Sequence, residues 1–110
     1  ERGACVCEPL DFTKAVSIDF APPDTDRFPC LRHAYNALKK GGTATAVFNA
    51  SNEVAVAEFI KGRLPWIKIA DVIEKTLDAV ETKDPQTLDD ILADDALARI
   101  RAAEIIAAMA

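Results

Sequence analysis

Apolar and polar positions follow two different periods along this chain. Between residues 14 and 20, Ala15, Val16, Ile18 and Phe20 are apolar, with Ser17 and Asp19 between the last three. That is the two-residue period of a strand. One strand is not stable alone, so the pattern predicts pairing with a sheet elsewhere. Residues 1–13 are mixed and loop-like, and Ala21-Pro22-Pro23-Asp24-Thr25-Asp26 reads as an extended linker. The domain boundary is therefore placed between residues 25 and 26.

From there the period becomes helical. Leu31, Ala34, Tyr35 and Leu38 are spaced i, i+3, i+4, i+7, which predicts one apolar stripe on a first helix. Asp26 is its candidate cap, Pro29 fits its first turn, Lys39-Lys40 suits its negative end, and Gly41-Gly42 stops it. A second helix is predicted from residue 43 or 44 to 61, ended by Gly62. Its stretch Asn49-Ala50-Ser51-Asn52-Glu53-Val54-Ala55-Val56-Ala57 is apolar almost all round, the mark of a helix buried at the centre of a bundle. A third helix starts at Ile67 or Lys68, with Ile69, Val72, Ile73, Thr76, Leu77 and Val80 on one face, and stops before Pro85. Thr87 caps a short helix reaching Leu92, and Asp94 caps a last one over residues 95–108. Leu97, Ile100, Ile105 and Ile106 are its predicted apolar face, interrupted by Arg101 and Glu104. The fold class is mainly α, an antiparallel four-helix-type bundle preceded by an extended linker with one short strand.

Composition narrows the classes of function. The chain has 110 residues and is half apolar, enough for one domain with a modest core. The formal net charge is -5 with no basic face, which argues against nucleic acid. No apolar run approaches the roughly 18 residues of a membrane span. The chain opens on Glu1 without a signal or transit peptide pattern, so a piece of a longer protein is expected. Three cysteines, Cys5, Cys7 and Cys30, in a chain without secretory features predict reduced thiols and a cytosolic-type compartment. Cys5-Val6-Cys7 lacks the C-x-x-C spacing of metal and redox sites, and no second ligand pair follows.

Candidate chemistry is sparse. His33, the single histidine, falls off the predicted apolar stripe of its helix and has no nucleophile or orienting acid near it in sequence. It therefore reads as a surface residue rather than a base. Asp89-Asp90 and Asp94-Asp95 would attract a hard cation, but helix starts use carboxylates as caps. Glu53 and Glu58 are five apart and share no face well, so they make no acid/base pair. Gly41-Gly42-Thr43 before a helix is a weak anion-site signal, which a helix–helix turn also explains. Asn49 and Asn52 lie on one helix face. They could contact a ligand, but their expected role is to satisfy loop backbone groups inside the bundle, as a polar latch.

Asp26-Arg27-Phe28-Pro29-Cys30-Leu31-Arg32, Gly41-Gly42-Thr43-Ala44, and Phe48-Asn49-Ala50-Ser51-Asn52-Glu53-Val54-Ala55-Val56-Ala57, in this order, resemble the C-terminal part of the 1-deoxy-D-xylulose 5-phosphate reductoisomerases. The lead-in from Pro9-Leu10-Asp11-Phe12 through Ser17-Ile18-Asp19-Phe20-Ala21-Pro22-Pro23-Asp24 is similar too, as are Ile69-Ala70 and the helix after them. Ser51 stands where Ala is common, and Ile67 stands where many members carry a polar cap.

The resemblance implies a parent enzyme that rearranges 1-deoxy-D-xylulose 5-phosphate and reduces the product with NADPH to 2-C-methyl-D-erythritol 4-phosphate. A divalent metal (Mg, Mn or Co) acts in it as a Lewis acid. The family implies a homodimer, cytoplasmic or in a plastid-type organelle, working in mevalonate-independent isoprenoid synthesis. It also implies that residues 1–25 end the central catalytic domain and linker, and that residues 26–110 form the helical bundle. Its metal carboxylates, phosphate-binding residues and NADPH glycines match no position here. No catalytic, cofactor-binding or metal residue is therefore assigned to this segment, which is expected to be inactive alone and to brace the enzyme's own catalytic domain. The competing expectation is a free-standing helical interaction module.

Overall fold

The computed structural model describes residue 7, residues 9–15 and residues 17–109. It contains four helices, α1 (Pro29–Lys40), α2 (Ala44–Ile60), α3 (Ile69–Ala79) and α4 (Leu88–Ala107), with a 3-10 turn at Trp66–Lys68 ahead of α3. The mainly helical class is as predicted. The described residues include no strand. Lys14, Ala15 and residues 17–20 are coil, and Val16 lies outside the described residues. Among the described residues, nothing supplies the second strand that the alternation requires. The described residues from 9 to 24 are all exposed. The radius of gyration is 18.4 Å, against about 13 Å for a compact chain of similar length.

α2 is the central helix, packing on α1, α3 and α4. Ala44, Val47, Ala50, Ser51 and Ala55 are buried on it, small residues that let three neighbours approach closely. The buried Ser51 hydroxyl donates to the Phe48 carbonyl one turn back (2.9 Å), so the residue that replaces the common Ala leaves no unpaired group. α3 buries the face its spacing predicts: Val72, Ile73, Thr76 and the following Val80 are fully buried, and Ile69 nearly so. Leu77 is partly buried and touches both core clusters, one built around Ile73, Leu64 and Ile106, the other around Val47, Val80 and Ala98. Each fully buried Val or Ile contributes about 1.5–3 kcal/mol of burial energy.

The ends of these helices follow their sequence signals. Gly62 sits at φ 72°; its N–H donates to the Phe59 carbonyl, and that of Arg63 to Glu58 (both 2.9 Å). This pattern closes a helix where only a glycine adopts the left-handed turn at little cost. Thr87 and Asp90 form a reciprocal capping box. α3 begins without a side-chain cap.

Four local expectations need correction. α4 is one continuous helix, so Asp94 is an interior residue and not a second cap. Its buried row is Asp94, Ala98, Ala102 and Ile106, spaced by four; Leu97 and Ile100 face outward at 38% and 57% exposure. α2 approaches α4 too closely for large side chains there, and alanines fill the contact. On α1, the predicted stripe also points out: Leu31, Tyr35 and Leu38 are exposed. The packed face is His33 and Ala37 with half-buried Cys30, so His33 is 6% exposed and not a surface residue. The expected cap is absent as well: α1 starts after Phe28 without a side-chain cap, and the turn ahead of it is held by Asp24. Asp24 Oδ1 accepts from the N–H groups of Asp26 (3.1 Å) and Arg27 (2.9 Å). Asp26 instead pairs with Arg32 at 2.8 Å.

Candidate functional site

Two places on α2 gather polar groups. The first is its N-terminus, where the chain turns through Gly41 and Gly42. The buried Thr43 hydroxyl donates to Asp94 Oδ2 on α4 (2.6 Å) and accepts from the Lys83 N–H (3.2 Å). The Thr43 N–H donates to the Lys83 carbonyl (3.0 Å), and Lys83 Nζ lies 3.7 Å from Asp94 Oδ1. Gly42, at φ 56°, lies so close to the same loop that a Cβ there would sit 2.5 Å from the Lys83 carbonyl oxygen. The Gly41-Gly42-Thr43 turn is thus a backbone-to-backbone latch. The N–H groups of Thr43 and Ala44 are used within the chain, so they do not point at an anion.

The latch expected from Asn49 and Asn52 is therefore made by other residues. Asn49 is exposed and donates from Nδ2 to Glu53 Oε1 (3.1 Å). Arg99 joins Glu53 (2.8 Å) and Asp95 (2.7 Å) on the same surface. The Arg99 guanidinium first, and Asn49 second, hold the Glu53 carboxyl below its ordinary value. Asp95 and Glu53 together hold Arg99 charged more firmly than usual.

Asn52 lies one position round the helix from this network. Half-buried, it makes no side-chain hydrogen bond among the described residues, in contrast to Asn49. It lines the second place: a groove of about 650 Å³ between the start of α1, the middle of α2 and the turn into α3. Asn52 and Val56 form the α2 wall, Phe28 and Cys30 the α1 wall, and Trp66 and Ile67 the third side. Trp66 and Ile67 are 60% and 72% exposed. The Cys30 thiol is free, and burial pushes its pKa up, which makes it a poor nucleophile. The groove is mainly apolar, with one amide in its wall.

The remaining candidates do not converge. The acidic run is divided: Asp90 accepts from the Gln86 and Thr87 N–H groups, Asp94 belongs to the latch, and Asp95 to Arg99. Glu58 pairs with Lys61 and Arg63, away from Glu53. Cys7 is an exposed free thiol, and Cys5 lies outside the described residues. No group of three His, Cys, Asp or Glu side chains suited to a metal ion occurs among the described residues. No strand–turn–helix with clustered glycines offers a dinucleotide site there. No helix among the described residues is long and apolar enough to cross a membrane.

The latch was missed because its partners are 51 residues apart and no spacing rule links them. One signal was present: a charged Asp94 in line, at intervals of four, with Ala98 and Ala102 marks a carboxylate on a packing face.

Comparison with known proteins matches this arrangement to one family. A family model described as DXP reductoisomerase C-terminal domain matches residues 1–101. The 1-deoxy-D-xylulose 5-phosphate reductoisomerase of Nitrosospira multiformis is 48% identical over 110 residues, all of this chain and 28% of its own length. That of Dechloromonas aromatica is 48% identical over 106 residues, 96% of this chain and 27% of its own. Among solved structures, the reductoisomerase from Zymomonas mobilis in complex with NADPH superimposes with a TM-score of 0.83 at 43% identity, covering 96% of this chain and 28% of that one. The chain thus spans little more than a quarter of these relatives and corresponds to their C-terminal part. Matched from residue 1 to 101 by the family model, the chain belongs to the DXP reductoisomerase C-terminal domain family.

Proposed function

We propose that this chain is the C-terminal part of an enzyme that converts 1-deoxy-D-xylulose 5-phosphate to 2-C-methyl-D-erythritol 4-phosphate, using NADPH and a divalent metal. In this reading residues 1–25 end the catalytic domain and linker, and residues 26–110 form the bundle. The catalytic, metal and nucleotide groups belong to the polypeptide that precedes this segment in the relatives, and the bundle braces that part. The enzyme would be a cytoplasmic homodimer of mevalonate-independent isoprenoid synthesis.

The observation that carries the reading is the co-linear match: a relative 48% identical over the whole of this chain and only 28% of its own. The apolar residues left exposed along one face of α1, Leu31, Tyr35 and Leu38, support the bracing role, since exposed apolar faces mark interaction surfaces. Rigid outer support is what a reacting site requires to hold its geometry.

The test compares three proteins: the full-length enzyme, the enzyme truncated before residue 26, and the 110-residue chain. NADPH oxidation dependent on 1-deoxy-D-xylulose 5-phosphate is expected only from the first. It should disappear with a chelator and return with Mg or Mn. Turnover by the 110-residue chain, or full activity in the truncated enzyme, would overturn the assignment.

A further inference from the structure

We propose that the groove between α1, α2 and the Trp66–Lys68 turn is the seat of an apolar side chain from the upstream part of the same polypeptide. This rests on the reading above, that the chain is the C-terminal part of a longer enzyme. Three observations select that occupant.

The first is size. A groove of about 650 Å³ accepts a few side chains. A stable interface between separate proteins buries about 800 Å² on each partner, which one such groove does not supply. Docking within one polypeptide needs far less, because a linker holds the two parts at an effective concentration in the millimolar range.

The second is connection. The chain enters the bundle along one wall of the groove: Asp26, Arg27 and Phe28 both end the exposed lead-in and line the groove. The relatives carry nearly three-quarters of their length outside the matched part, joined at this lead-in.

The third is chemistry. Trp66 and Ile67 are among the most exposed large apolar side chains of the helical region, although each has the groove beside it. Asn52 carries a donor and an acceptor with no partner among the described residues, suited to a backbone peptide group of the arriving segment. The rim charges are mixed, Asp26 and Arg27 on one side and Asp71 on the other, and do not select a strongly charged partner. The asparagine-bearing stretch of α2 thus faces outward twice: through Asn49 to a surface ion network, and through Asn52 to this seat.

The experiment uses the full-length enzyme and its Ile67→Glu variant. Ile67 is 72% exposed and outside both core clusters, so the bundle keeps its packing; Phe28→Glu serves as a second variant. Ile100→Glu on α4, which does not line the groove, is the control. Peptide-resolved labelling of Cys30 with a thiol reagent reports coverage of the groove, and kcat reports support of the site. Labelling of Cys30 should accelerate about tenfold in Ile67→Glu, the factor by which losing one buried aliphatic side chain shifts a docking equilibrium. The kcat should fall while KM stays nearly constant, and Ile100→Glu should match the wild type in both. Wild-type labelling and kcat in Ile67→Glu would overturn the proposal, leaving the enzyme assignment intact. Conversion of a dimer to a monomer by Ile67→Glu would overturn it as well, because the occupant would then be a second copy. A wild-type enzyme without substrate-dependent NADPH oxidation would instead remove the functional reading, and the labelling would still decide whether the groove is covered.

Discussion

The N-terminus of α2 and its middle present opposite solutions to the same problem. At Thr43 the polar atoms are buried and partnered: hydroxyl to Asp94, N–H to the Lys83 carbonyl, and Lys83 N–H back to the hydroxyl. At Asn52, nine residues further along the chain, the amide is half-buried and lines an open apolar groove. A buried polar group costs about 1–3 kcal/mol when unpaired, so the first region must be complete within the chain. The second is open to solvent, where a polar group needs no partner from the chain. The difference separates what holds the bundle together from what the bundle leaves open on its surface. Substitutions should therefore split cleanly: those at the latch lower stability, and those in the groove lower docking.

The sharpest break of that comparison is Gly42→Ala. A Cβ would lie 2.5 Å from the Lys83 carbonyl oxygen, on backbone held at φ 56°. The left-handed conformation alone costs a non-glycine residue about 1–3 kcal/mol, and the clash adds to it. A loss of about 3 kcal/mol or more is expected, read as faster hydrogen exchange over α2 in the intact enzyme. Unchanged protection would show that the loop near Lys83 simply moves aside.

Asp94→Ala comes next. It leaves the Thr43 hydroxyl buried without its acceptor, and about 1–3 kcal/mol should be lost in the same exchange measurement. Asp94→Asn keeps an acceptor oxygen and should lose less. Equal losses would mean that the charge facing Lys83 Nζ, and not the hydrogen bond to Thr43, is what matters.

These two sites also show where sequence reading works. Helix α3 was legible because its large apolar residues, from Ile69 to Val80, face the core, and its period is the signal. The ends at Gly41, Gly62 and Thr87 were legible because each is a local backbone requirement with a local residue to meet it. Helix α4 was not, because its contact with α2 is made by Ala98 and Ala102, while Leu97 and Ile100 look outward. On α1 the same inversion hid His33 among the packed residues and turned Leu31, Tyr35 and Leu38 to the surface. Periodicity reports which residues are apolar; it does not report which neighbour covers them. The latch joins residues 43, 83 and 94, which no local rule connects. The family motif at residues 48–57 was legible as a pattern, but the role expected for its asparagines was not.

A smaller effect is expected at the start of α4, outside both regions. Thr87→Ala removes an N-cap side chain, a loss of about 1 kcal/mol. The Asp90 carboxyl is held below its ordinary value of 3.8 by the N–H groups of Gln86 and Thr87 and by the Thr87 hydroxyl. A carboxyl whose folded pKa is depressed stabilises the fold above the unfolded value, and that contribution fades as pH falls through the folded one. The capping box should therefore loosen only below about pH 4. An NMR titration should place the Asp90 midpoint under 3.8, moving upward in Thr87→Ala. A midpoint unmoved by the substitution would assign the depression to the backbone donors alone.

The smallest effect on stability should come from Asn52→Ala. Asn52 makes no side-chain hydrogen bond among the described residues, so exchange over α2 should change by less than about 0.5 kcal/mol, the range of an ordinary surface substitution. Asn49→Ala, three residues earlier, should instead be visible electrostatically: without the Nδ2 donor the Glu53 carboxyl titrates at a higher pH than in the wild type. Its shift should be partial, because Arg99 still holds the same carboxylate. If Asn52→Ala cost as much as Asp94→Ala, the amide would be a structural latch after all, and the division between a closed N-terminus and an open middle of α2 would not hold.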